Sequence, residues 1–250
     1  MIKAVIFDVY GTLIRSKAND LSREPKNRES QIKAMKKLKQ KYNFSVSAEK
    51  LHEAFFDEIK KELLQKQKEG IDFSEVIIED IWKKVFESLN LEKVDFVQFA
   101  LEYHNLCCEC SLFLNIKEMS LSLKEKGIHL GIVSNAQFYT KPDLVHLLGI
   151  EGMDEIFDKK LVFLSFELGY AKPGQKMFDL LKKELAIKKI KPEETLYIGN
   201  DLFEDVVGAR KAGFKTGLVV NHNTEYRKDM QLEEPDFKIK DMLEIKKLVG

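Results

Sequence analysis

The sequence predicts an α/β protein, a parallel-sheet core whose chain is interrupted soon after its first strand by a bundle of α-helices. Short apolar runs ending in polar clusters recur near both ends of the chain: Lys3 to Phe7, Leu130 to Val133, Thr195 to Ile198 and Thr216 to Val220. Rich in β-branched residues and with little alternation, they suit strands covered on both faces. Between the first and second runs, from about Glu29 to Cys108, apolar residues recur at helical spacing and no strand pattern intervenes. A chain of 250 residues has room for one core domain carrying a smaller insertion.

Taken in order, the first strand stops at Asp8-Val9-Tyr10-Gly11-Thr12. Ile32, Met35, Leu38 and Tyr42 then share a helical face, and Leu51, Phe55, Ile59 and Leu63 repeat every four residues behind a Ser47 cap. Asp72 with Glu75 predicts a capping box for a third helix bearing Ile77, Ile81 and Val85, and Phe96, Phe99 and Tyr103 mark a fourth. Strand and helix alternate from Leu112 onward. Asn115 and Glu118 are expected to cap a helix that ends at Gly127, and the next strand stops at Ser134-Asn135. A helix closed by Gly149, a short strand near Leu161 to Leu164, and Lys172-Pro173 at a helix start follow. The run to Ile198 ends in Gly199-Asn200-Asp201; a helix from about Asp205 to Gly213, the strand to Val220, a weak strand and a terminal helix complete the chain. Such alternation implies right-handed crossovers and a Rossmann-like core of residues 1–14 and 111–250, with 15–110 as the inserted helical domain.

Ligands of open parallel sheets bind beyond the carboxyl ends of the strands. Four polar clusters fall there: Asp8 to Thr12, Ser134-Asn135, Lys172, and Asn200-Asp201 with Asp205. Singly, each suits a turn, a solvated lysine or a helix cap. Jointly they supply a carboxylate nucleophile, hydroxyl and amide donors, a fixed cation, and oxygen ligands for a hard metal.

In order and spacing these clusters resemble the motifs of the haloacid dehalogenase superfamily, across residues 1–14 and 111–222. The resemblance implies a hydrolase in which Asp8 attacks the substrate and forms an aspartyl intermediate that water then hydrolyses. For a phosphate ester, Mg²⁺ would be held by Asp8, the backbone carbonyl of Tyr10 and a residue among Asn200, Asp201 and Asp205. Thr12 and Ser134 would bind the transferring oxygens, Lys172 would neutralise their charge, and Asn135 would help position the group. The helical insertion would be a cap that selects the substrate.

Three departures separate possible chemistries. Tyr10 stands where the family's phosphatases carry a second aspartate as general acid and base, a feature shared with metal-independent 2-haloacid dehalogenases. Against dehalogenation, Leu202 and Phe178 occupy positions where that branch has asparagine and tyrosine, and the candidates for a substrate carboxylate are Arg23 and Arg28, neither with a local match to that branch. Asn200 stands where the phosphatase pattern more often has aspartate, but Asp201 and Asp205 keep carboxylates nearby. These favour a Mg²⁺-dependent phosphatase of a small anionic substrate over a dehalogenase, and either over a weakly catalytic phospho-ligand binder.

Hydrophobic residues at 44%, charged residues at 33% and zero formal net charge describe a globular chain with no global attraction to nucleic acid. No apolar run reaches the roughly 20 residues of a membrane span, and the N-terminus lacks a signal pattern, so a cytoplasmic protein is expected. Cys107, Cys108 and Cys110 are too close for ordinary disulfides and lack a companion pair for zinc; with His104 they are read as residues of the last inserted helix. The basic stretch Lys33 to Lys41 is a solvated helix face, and Asn221-His222-Asn223 an exposed turn.

Overall fold

A computed structural model describes residues 1–16, 28–227 and 230–250; Arg23, a candidate for binding a substrate carboxylate, lies outside them. The chain divides into two compact units, Met1–Arg15 with Ser111–Gly250, and Ser16–Cys110.

In chain order the elements are β1 (Ala4–Phe7), β2 (Ile14–Ser16), α1 (Arg28–Tyr42), α2 (Ala48–Lys68), α3 (Ile78–Ser88), α4 (Phe96–Cys107), β3 (Cys110–Leu112), α5 (Ile116–Glu125), β4 (His129–Ser134) and α6 (Thr140–Leu148). There follow β5 (Val162–Leu164), α7 (Ser165–Leu168), α8 (Gln175–Ile187), β6 (Thr195–Gly199), a π-helical turn (Leu202–Val207), α9 (Gly208–Lys211), β7 (Lys215–Val219), β8 (Phe237–Ile239) and α10 (Ile245–Leu248).

The first unit is an α/β layer built on a six-stranded parallel sheet of order β5-β4-β1-β6-β7-β8. All four residues of β1 are buried, and they lie between β4 and β6. Phe7 is level with both Ile132 and Ile198. That register brings the residues following β1, β4 and β6 to one edge, at the point where successive crossovers leave the central strand in opposite directions. Met177, Phe178, Leu181 and Leu185 of α8 pack with Ile6, Val133 and Tyr197 beneath that edge. Burying such side chains contributes on the order of 2 kcal/mol each, so the strand tips rest on a rigid platform.

The helical unit is organised around aromatic residues. Phe55 stacks on Trp82 with centroids 4.2 Å apart, and Phe99 meets Trp82 and Phe86 edge-on at 4.8 and 5.1 Å. Phe55, Trp82, Phe86 and Phe99 are all buried, which accounts for the helical spacing read in the sequence. Ser47 caps α2 by accepting from the Lys50 amide at 3.1 Å. Lys33, Lys36, Lys37 and Lys41 of α1 are exposed, Lys36 and Lys41 opposite Glu49 and Glu102.

Four local expectations are corrected. The third helix begins at Ile78, not at an Asp72–Glu75 box: Glu75 instead accepts from the Val76 amide at 2.8 Å, after a turn that places Phe73 at φ 54°. Asn115 occupies the N-cap of α5 but in left-handed backbone conformation, and its amide donates to Asp241 at 3.1 Å. Pro173 precedes α8, whose cap is Gly174, and follows a cis peptide bond from Lys172. The cysteines are not all helical: Cys107 ends α4, Cys108 caps it and Cys110 opens β3. Burial beside Tyr103 pushes the Cys107 thiol up to about 12.

Candidate active site

Asp8 follows β1 directly, and its amide donates to the Ile198 carbonyl at 2.8 Å, so the adjacent strand fixes the residue's backbone. One carboxylate oxygen, Oδ1, accepts from Ser134 Oγ at 2.9 Å and from Lys172 Nζ at 2.7 Å. Lys172 also donates to Asp205 Oδ1 at 2.5 Å and to the Tyr197 hydroxyl at 3.0 Å. The Tyr197 proton lies between the Val133 carbonyl at 2.8 Å and Asp205 at 3.0 Å. Asp205 Oδ2 accepts from the amides of Asn200 and Asp201, both at 2.9 Å. A buried chain of charge-assisted bonds thus joins β1, β4, the loop before α8 and the π-helical turn.

Two carboxylates share one ammonium, which leaves a net charge of −1 on the Asp8, Lys172 and Asp205 cluster. Burial pushes the Asp8 carboxyl up to about 6; Lys172 pulls against this and Asp205 adds to it. For Lys172, burial acts downward, but Asp205 and Asp8 outweigh it and hold the ammonium well above its ordinary range. Asp8 is therefore a carboxylate at neutral pH, though a strained one, and Lys172 is fully charged.

Thr12 follows the turn at Gly11, where φ is +88° and an added Cβ would strike the Asn200 side chain. Its hydroxyl donates to Asn200 Oδ1 at 3.3 Å. Asn200 Nδ2 donates to the Asn223 carbonyl at 2.7 Å, and Asn221 Nδ2 donates to the Gly11 carbonyl at 3.1 Å. Asn221 to Asn223 is a turn, as read in the sequence, but one that braces the first loop; His222 itself is exposed.

The remaining sequence candidates lie in other bonding patterns. Asn135 spends its side chain on the lysine loop, accepting from the Lys172 amide at 2.7 Å and donating to the Lys172 carbonyl and Glu204 at 3.2 Å each. It positions Lys172. Asp201 caps the π-helical turn through the Phe203 and Glu204 amides and pairs with Arg227 at 2.5 Å. The Tyr10 hydroxyl meets Thr140 Oγ1 at 3.1 Å and donates to Asp143 at 3.4 Å, on α6. Arg28 faces Glu53 at 3.7 Å. Sequence reasoning missed Tyr197, Arg227, Thr140 and Asp143: a tyrosine within a buried strand reads as core, and the others lie outside any motif.

The donor set fits a hard divalent cation. Asp8 carboxylate, the Tyr10 carbonyl and Asn200 Oδ1 are oxygen atoms that such an ion could take as ligands, whereas Asp201 and Asp205 are committed to a cap, an arginine and the lysine. Asn200 brings no charge of its own.

A family model described as haloacid dehalogenase-like hydrolase matches residues 2–213. The glyceraldehyde 3-phosphate phosphatase of Methanothermobacter thermautotrophicus is 32% identical over 130 residues, covering 52% of the chain and 54% of that protein, so the match spans about half the relative's length. Pyrophosphatase PpaX of Anoxybacillus flavithermus is 28% identical over 172 residues, covering 67% of the chain and 75% of the relative. A HAD phosphatase from Thermococcus onnurineus superposes with TM-score 0.61 at 22% identity, covering 100% of the chain and 98% of its own. A 2-haloacid dehalogenase from Pseudomonas syringae gives TM-score 0.64 at 18% identity with the same coverage, so these structures share the fold without distinguishing the chemistry.

Proposed function

Because the chain belongs to the haloacid dehalogenase-like hydrolases, we propose that it is a Mg²⁺-dependent phosphatase of a small phosphorylated metabolite, acting in the cytoplasm through an aspartyl-phosphate. The observation that carries this reading is Asp8 held at one oxygen by Ser134 and Lys172, 2.9 and 2.7 Å away. The phosphatase names of the sequence relatives support it. In this reading residues 15–110 are the cap that selects the substrate.

Asp8 Oδ2 attacks phosphorus; the new O–P bond forms as the bond to the leaving alcohol breaks. Thr12 and Ser134 donate to the equatorial oxygens, and Lys172 neutralises the charge that grows on them. Asp8, the Tyr10 carbonyl and Asn200 would hold the cation, whose charge would offset the repulsion between carboxylate and phosphoryl group. Water then attacks the acyl phosphate; the aspartyl O–P bond breaks, phosphate leaves and Asp8 is restored, and a proton of the attacking water returns to the group that protonated the alcohol.

Tyr10 supplies the proton that the family's second aspartate otherwise provides. A phenol is a poor base at neutral pH but a competent acid toward an alkoxide; its proton, donated to Asp143 in this structure, would turn to the leaving oxygen. Tyr10→Phe is expected to slow alkyl phosphates by roughly 10²-fold, sparing aryl phosphates whose leaving groups need no proton. Equal loss on both classes would remove Tyr10 as the acid.

The function is tested by phosphate release from an aryl phosphate, expected to require Mg²⁺ and to stop with chelator. Tyr10 also suits a dehalogenase, so the same preparation is given a 2-chloro acid with chelator present. Chloride release there, without phosphatase activity, would replace the phosphatase reading.

A further inference from the structure

The side chains of His104, Cys108 and Cys110 converge within the helical unit, far in sequence from every motif described above. A ring nitrogen and two sulfurs, one ligand atom from each residue, all lie within 4.8 Å of one another. We infer that they form a binding site for a thiophilic metal ion of the Zn²⁺ class, which ties the last turn of α4 to the chain that follows it.

Local backbone geometry creates the convergence. Cys108 is four residues after His104, and its amide donates to the His104 carbonyl at 2.8 Å, so the two side chains stack on one helix face. The chain then turns extended, with Cys108 at φ −106° and ψ 104° and Cys110 opening β3. Residues two apart on an extended segment share a face, so Cys110 returns to the side occupied by Cys108. His104-x-x-x-Cys108-x-Cys110 therefore combines a helical and an extended repeat, a spacing that the usual paired-cysteine patterns do not include, which is why the sequence alone argued against zinc.

The chemistry of the donors selects the ion. Two thiolates and an imidazole are soft-to-borderline ligands, poor for Mg²⁺ and well suited to Zn²⁺ or Co²⁺. With metal–ligand bonds of about 2.0–2.3 Å, tetrahedral ligand atoms sit about 3.5 Å apart. The observed separations, all within 4.8 Å, require the side chains to close by roughly 1 Å or less around a bound ion. His104 is only 2% exposed while both thiols are half-buried, so the site has a fixed inner ligand and an accessible outer pair. Three protein ligands leave a fourth position for water or an external ligand.

Cys107 provides an internal control, since it is buried beside Tyr103 and outside the cluster. Full-length protein is reduced, freed of metal with chelator and titrated with Co²⁺. One equivalent should produce thiolate-to-cobalt charge-transfer absorption, which the oxygen ligands at Asp8 cannot give, and Zn²⁺ should abolish it by displacement. Cys108→Ser or Cys110→Ser should weaken Co²⁺ binding by roughly 100-fold or more, since even outer-shell losses reach that range; Cys107→Ser should leave it unchanged. In the unmutated protein one equivalent of Zn²⁺ should protect Cys108 and Cys110 from an aromatic disulfide reagent. Absence of the sulfur band, a band that survives loss of Cys108, or thiols equally reactive with and without Zn²⁺ would overturn the site. None of these readouts depends on phosphatase activity.

Discussion

Asp8→Asn should abolish turnover while leaving a folded and, above pH 6, more stable protein. An amide cannot form the covalent intermediate, and removal of a nucleophile typically costs on the order of 10⁴-fold or more. The stability gain follows from the carboxyl's position. Burial raises its pKa from 3.8 to about 6 in the folded protein. The native state thus holds that proton more tightly than the unfolded chain, so the group's contribution worsens as pH rises between those values. The full cost, roughly 2–3 kcal/mol, is present above about pH 6 and absent below about pH 4. Asparagine does not titrate, so with chelator present the variant should melt roughly 4–12 °C above the unmutated protein at pH 7.5, and the gap should close at pH 4. Retained phosphatase activity would exclude Asp8 as nucleophile. A variant that melts lower at pH 7.5 than at pH 4, relative to the parent, would show that the lysine's attraction outweighs burial.

The sequence made the sheet and the convergence of its tips legible because both rest on local signals: apolar runs, and polar residues immediately after them. Asp8, Ser134 and Lys172 were readable for that reason, as was the helical character of residues 29–107. What escaped was the distribution of partners. Asp201 and Asp205 look equivalent in sequence, yet the π-helical turn directs one toward Arg227 and the other toward Lys172. Arg227 lies 22 residues beyond Asp205 on a loop without a pattern of its own, so nothing local announced the pairing. Asn135 similarly reads as a ligand-binding amide until its bonds to the Lys172 backbone are seen. Tyr197 sits in β6, all of whose residues are buried, and only its hydroxyl's contacts distinguish it from packing. The His104 and cysteine cluster was hidden for a different reason: its spacing crosses from helix to strand, and a search for either period alone finds only part of it.

Lys172→Met should both stop catalysis and destabilise the core by roughly 3–5 kcal/mol, the usual cost of leaving a buried charge without its partner. For a chain of this size that corresponds to a fall in melting temperature of roughly 6–20 °C. Methionine fills much the same volume, so the loss reports charge more than packing. With the ammonium gone, Asp8 and Asp205 confront each other across a buried site with the Tyr197 hydroxyl between Asp205 and the Val133 carbonyl. The pH dependence identifies the cause. Lys172 lowers the Asp8 pKa, so its removal moves that pKa further above 6, and the variant's native state takes up a proton where the parent's does not. Protonation relieves the repulsion, and the deficit relative to the parent should be largest at pH 8 and shrink toward pH 5. Asp8→Asn should gain more stability in the Lys172→Met background than in the parent, without recovering activity, because the two sites share one interaction and their effects are not additive. Melting curves for the four proteins at pH 8 and pH 5 decide the matter: an Asp8→Asn gain no larger in the Lys172→Met background than in the parent, or a deficit independent of pH, would mean that Lys172 acts by packing and that the buried charge cluster does not govern this edge of the sheet.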